Sequence, residues 1–194
     1  DHDDHDDHDD HDDHDDHDHG QVGDVDPHAW IDPQIAIAWV DDIETALSQA
    51  DPDNSDTYAA NAAATIASLN ALDDEIAAQL ADLSQRTLVV PHDAYHYFGV
   101  RYDLPASGSI SFSDATTPGP DRIAALQDLI RENDITCVLS DPQSRSEWVD
   151  LVREGTDANT ALADPLGTAY AQGPDHYAAT LRGLANAYAA CLAD

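Results

Sequence analysis

From Pro33 onward apolar residues recur every four positions, at Ile35, Trp39, Ile43 and Leu47, the spacing of a helix with one apolar stripe. After Pro52 the pattern resumes through Tyr58, Ala62, Ile66, Leu69, Leu72, Ile76 and Leu80, reaching Leu83 without Gly or Pro over about eight turns. This predicts one helix longer than a typical small domain needs. Beyond it the pattern shortens. Thr87 to Val90 and Ile135 to Leu139 are compact apolar runs of strand length, and Ala161 to Leu166 reads as a brief strand and loop. Helical periodicity lies between and after them, at Ile123, Leu126, Leu129 and Ile130, from Glu147 to Arg153, and from about Pro174 to Leu192. A second apolar patch, Ser109 to Phe112, precedes the turn residues Thr117 to Pro120. The alternation of strand and helix predicts an α/β fold in which a parallel sheet is flanked by helices.

The first nineteen residues follow neither period. They repeat a His-Asp-Asp unit that places His2, His5, His8, His11, His14, His17 and His19 among twelve aspartates. Imidazole is the commonest side-chain ligand for zinc, and the interleaved carboxylates attract divalent cations while resisting compaction. The segment is read as a disordered, weak, multi-site metal collector. A merely solubilising tail is the alternative. An affinity tag fits poorly, because tags are runs of histidine without carboxylates in every gap.

Charge narrows the partners. Even without the tail's aspartates, twenty-eight acidic residues stand against seven arginines and no lysine, which makes nucleic acid an improbable partner and resembles the surface chemistry of proteins from salty environments. No run of about 18 apolar residues is present to span a membrane. The sequence opens without Met inside a low-complexity run, so a true N-terminus with a targeting signal peptide is expected upstream.

Cys137 and Cys191 lack the spacing of a metal-binding or thioredoxin motif. A structural disulfide is the preferred reading, implying an oxidising compartment such as the periplasm; two buried free thiols are the alternative.

Three further positions carry candidate chemistry. His28 sits at a loop-to-helix entry, His92 follows the strand ending near Pro91, where open α/β sheets place ligand groups, and Asp164 begins a Pro-Leu-Gly turn. His nitrogen and carboxylate oxygen both bind zinc at about 2 Å, so the three could share an ion without an oxidisable thiolate. His96 and His176 are expected at the surface. Trp30 and Tyr95 are expected either to wall off the site or to serve as ordinary core.

The segments Asp26-Pro27-His28-Ala29-Trp30-Ile31-Asp32-Pro33, Pro91-His92-Asp93-Ala94-Tyr95-His96-Tyr97-Phe98 and Asp164-Pro165-Leu166-Gly167 resemble the signatures of ZnuA-type zinc-binding proteins of ABC uptake transporters. The resemblance spans the whole chain. It implies two α/β lobes joined by a rigid helix, with the metal between them and a His-rich loop between the first and second ligand histidines. Residues 1–20 would be that loop, 21–51 the end of the N-terminal lobe, 52–84 the linking helix and 85–194 the C-terminal α/β lobe. His28 and His92 would be the second and third histidine ligands. The first would belong to the absent N-terminal lobe. Asp164 would lie where manganese-type relatives supply a carboxylate, leaving open whether it or a water completes the shell. Those relatives carry Glu at the position of His92, so imidazole there favours zinc.

The function expected is capture of periplasmic Zn2+ and delivery to an ABC permease in the inner membrane by a monomeric, non-enzymatic protein. A His-rich zinc buffer or chaperone and a manganese-type member of the same family are the alternatives. An enzyme is disfavoured because the chain has neither HExxH nor a nucleophile elbow.

Overall fold

Pro33 opens the first long helix, and the Asp32 side chain caps it by accepting from the Gln34 N–H at 2.8 Å. The structure is a computed structural model and describes residues 26–111 and 116–193, so His2, His5, His8, His11, His14, His17, His19 and Phe112 lie outside the described residues. Helix α1 runs Pro33–Ala50 and, after a 3₁₀ turn at Pro52–Asn54, α2 runs Ser55–Leu80, a length of about 39 Å. A further 3₁₀ turn, Ala81–Leu83, completes the long helical stretch read from the sequence. The buried residues of α2 are Leu69, Leu72, Asp73, Ile76 and Leu80, all in its C-terminal half and on one stripe. Only that half carries buried side chains.

Strand β1 (Leu88–Val90) pairs in parallel with β2 (Ala106–Ser109). Isolated parallel bridges extend this pairing on the other side, from Val89 to Val138, Cys137 to Asn159 and Ser140 to Leu162. Between and beyond the strands lie α3 (His96–Arg101), α4 (Pro120–Glu132), α5 (Ser146–Arg153) and α6 (His176–Leu192). Alternate β1 side chains serve two layers. Leu88 and Val90 pack with Ile76, Phe98, Leu184 and Tyr188 from α2, α3 and α6, whereas Val89 packs with Leu126, Ile130, Val149 and Val152 from α4 and α5. Helices therefore cover both faces, as the α/β reading expects. Cys137 and Cys191 form a disulfide that ties the strand segment beside β1 to the end of α6, and both residues are fully buried.

Two elements depart from the apolar pattern. The strand beside β1 lies at Ala106–Ser109, overlapping only the first residue of the patch at Ser109 to Phe112, and its residues are all small. The reason is steric: a Cβ on Gly108 would meet Leu126 at 3.1 Å and Leu129 at 3.3 Å, so a small residue lets α4 approach. The second departure is on α1, where Trp39, Ile43 and Leu47 form the expected helical stripe but are 43%, 58% and 42% exposed. Among the described residues they are only about half covered.

Candidate metal centre

The sheet presents several polar side chains at one end. His92 follows the carboxyl end of β1, Asp141 follows the bridged segment ending at Ser140, and Asp164 follows the bridge at Leu162. Three neighbouring parallel segments thus deliver polar side chains to the end at which open α/β sheets bind ligands. His28 arrives from elsewhere, immediately before the short 3₁₀ turn Ala29–Ile31 that precedes α1.

That turn is latched to the sheet and α6 segment at several points. Ile31 is fully buried, the Trp30 indole N–H donates to the Pro165 carbonyl at 3.0 Å, and the Tyr177 hydroxyl donates to the Trp30 carbonyl at 2.8 Å. His28 and His92, 64 positions apart in the sequence, then face each other with ring centroids 5.6 Å apart and planes inclined at 65°. A ring coordinated at about 2 Å has its centroid about 3.2 Å from the ion, so two rings at a tetrahedral angle stand about 5.2 Å apart. The observed separation is close to that value.

Each imidazole is also oriented from behind. Asp26 Oδ1 accepts from His28 Nδ1 at 2.8 Å and from the His28 backbone N–H at 2.9 Å, and Asp141 Oδ2 accepts from His92 Nδ1 at 3.1 Å. A carboxylate only accepts, so each of these bonds calls for a proton on Nδ1 of its ring. Asp141 is buried, which alone would raise its pKa, but hydrogen bonds from His92 and Ser144 outweigh burial and hold it below the ordinary carboxylate value. Tyr95 is also buried, with its hydroxyl donating to the Ala163 carbonyl at 3.0 Å and standing 3.4 Å from Asp141. Burial and the Asp141 charge push its pKa well up, keeping it a neutral wall of the site.

Asp164 behaves differently. Its Oδ1 accepts from the Leu166 N–H at 3.1 Å and Gln143 Nε2 at 3.2 Å, and its Oδ2 accepts from the Thr168 N–H and hydroxyl, both at 2.6 Å. Burial works against the charge, but these bonds prevail and lower its pKa. Among the described residues no three His, Cys, Asp or Glu side chains gather closely enough to hold an ion, so Asp164 is not drawn into one cluster with His28 and His92. Its carboxylate is spent on shaping its own loop, whose Pro165 carbonyl holds Trp30 beside His28.

His96 is exposed and lies edge-on to Tyr97, and His176 is half-buried with Nδ1 3.3 Å from the Ala171 carbonyl. The residues that the sequence did not single out are Asp141 and Gln143. Asp141 was findable, since it follows an apolar strand run just as His92 does. Gln143 spans the Asp141 and Asp164 loops, its backbone N–H donating to Asp141 at 3.0 Å, while its own buried Oε1 has no hydrogen-bond partner among the described residues.

Comparison with known proteins agrees with this architecture. The family model described as "Zinc-uptake complex component A periplasmic" (ZnuA) matches residues 1–191. The chain belongs to the ZnuA family. It is 40% identical over 170 residues to the high-affinity zinc uptake system protein ZnuA of Brucella abortus (strain 2308), covering 88% of this chain and 51% of that protein. It is 39% identical over 168 residues to the protein of the same name from Paracoccus denitrificans (strain Pd 1222), covering 86% and 52%. The crystal structure of a zinc-bound deletion mutant of ZnuA superposes with a TM-score of 0.76 at 28% identity, over 90% of this chain and 64% of that one. The chain therefore spans about half the length of the curated ZnuA relatives it matches.

Proposed function

We propose that this ZnuA-family chain is part of a periplasmic binding protein that captures Zn2+ and delivers it to an ABC permease in the inner membrane. The single observation that supports this most is the pair His28 and His92, 5.6 Å apart with each Nδ1 engaged by its own carboxylate. Two imidazoles suit zinc, whereas manganese prefers a site richer in carboxylate. Further ligands come from outside the pair, from a part of the full-length protein that this chain does not span or from water. On this reading the protein makes and breaks no bond and works as a monomer, and the ion is cargo held with its ligands oriented in advance. Asp164 acts through its loop rather than as an obligatory ligand, and the histidines of residues 1–20 collect zinc weakly and raise its local concentration. Residues 21–51 close an N-terminal lobe, 52–84 link the lobes and 85–194 form the C-terminal lobe. The exposed stripe of Trp39, Ile43 and Leu47 on α1 would face the N-terminal lobe.

Zinc titration of three forms of the two-lobed protein tests the reading: the parent, the parent without residues 1–20, and His28→Ala with His92→Ala. One tight site should survive loss of the tail and disappear with the two histidines. Tight binding that vanished with the tail alone would favour the zinc buffer instead.

A further inference from the structure

The Asp73 carboxylate, on α2, is only 3% exposed and gathers donors from two other helices. From the first turn of α1, Gln34 Nε2 donates to Oδ2 at 2.8 Å. From the end of α3, Arg101 Nε donates to Oδ1 at 2.9 Å, a second guanidinium nitrogen donates to Oδ2, and the Tyr102 hydroxyl donates to Oδ1 at 3.1 Å. The forked pairing fixes direction as well as distance. Burial opposes the charge, but the bonds from Arg101, Gln34 and Tyr102 hold the Asp73 pKa below its ordinary value.

Both arms that leave this node end at a candidate zinc ligand. On one side, Gln34 is joined to His28 through successive local bonds: Asp32 caps the Gln34 N–H, the Asp32 N–H donates to the Ala29 carbonyl at 3.2 Å, and the Ile31 N–H donates to the His28 carbonyl at 3.4 Å. On the other, α3 connects Arg101 back toward His92, with the Tyr102 N–H bonded to Phe98, the Gly99 N–H to Tyr95 and the Ala94 N–H to the His92 carbonyl. α2 is the common body against which both arms are registered. We infer that Asp73 is a positioning residue for zinc capture, setting the separation of His28 and His92 by clamping the α1 and α3 arms to α2. The inference rests on the zinc-site reading above.

The test uses the full chain with Zn2+ and Co2+ as probes, at a temperature where circular dichroism shows each variant folded. Asp73→Asn keeps the shape but loses the forked ion pair. It should weaken Zn2+ binding about tenfold, in line with other residues that orient metal ligands from behind, and should alter the visible absorption of bound Co2+, which reports coordination geometry. A role in stability alone would lower the melting temperature and leave both readouts unchanged. Gln34→Ala removes only the α1 arm and should shift both in the same direction by less; it carries the test if Asp73→Asn does not fold. Parent-like affinity and Co2+ absorption in a folded Asp73→Asn or in Gln34→Ala would overturn the inference, provided that His28→Ala with His92→Ala abolishes the tight site. If that double variant instead binds like the parent, the zinc-site reading itself fails.

Discussion

His92 Nδ1 stands 3.1 Å from Asp141 Oδ2, and both side chains are almost wholly removed from water. On the zinc-site reading the bond selects the tautomer with its proton on Nδ1, and it leaves the carboxylate charge beside the ring to make Nε2 a better donor to the ion. Asp141→Asn can keep an oxygen toward Nδ1–H but removes the charge, so zinc affinity should fall by about 10- to 100-fold while the fold persists. Competition against a chelator of known affinity measures the loss. Unchanged affinity would remove Asp141 from the site.

The disulfide between Cys137 and Cys191 closes a span of 54 residues and joins the sheet to the last helix. Cross-linking a loop of that length takes on the order of 4 kcal/mol of entropy from the unfolded chain. Cys137→Ser with Cys191→Ser, or reduction under denaturant, should lower unfolding stability by about 2–5 kcal/mol. Urea unfolding with and without reductant gives the comparison. An equal midpoint in both would show that the bridge contributes nothing.

Much of this architecture was legible because period and burial coincide. Ile76 and Leu80 repeat every four residues and are fully buried on α2, and Val89 lies in a strand whose neighbours face the opposite layer. Legibility failed where shape mattered more than hydrophobicity. Gly108 lies in β2 because α4 must come close, and a strand of small residues carries no large apolar side chains to read. At the site, His28 and His92 stood out by type and by place next to proline, but Asp141 and Asp73 did not. An aspartate that orients another side chain looks, in a chain with forty acidic residues, like any surface aspartate. Only its burial and partners distinguish it.

Acid should destabilise the fold partly through Asp73. Its pKa is depressed in the folded state, so the unfolded chain binds its proton more readily and stability rises with pH through that range. The contribution is complete above the unfolded carboxylate pKa of about 3.9 and fades as the pH falls through the lower folded value. Asp73→Asn should flatten the stability profile below about pH 4 relative to the parent. Urea midpoints measured from pH 3 to pH 6 check this, and parallel profiles for the two proteins would contradict it.

Gly167 closes the turn that begins at Asp164, with φ at +65° and its N–H donating to the Asp164 carbonyl at 3.2 Å. A Cβ there would lie 2.0 Å from Thr180 Oγ1 and 3.2 Å from the His176 ring, so both the backbone and the space demand glycine. Gly167→Ala should cost at least the roughly 1–3 kcal/mol of a strained left-handed residue, with the clash added. Because the Pro165 carbonyl holds Trp30, the damage should also reach His28 and weaken zinc binding. Adding Thr180→Ala relieves the clash but not the strain, so the double variant should recover part of both losses. Unfolding and zinc titration on the single and double variants measure the two effects, and full stability in Gly167→Ala would mean that the turn is free to take another shape.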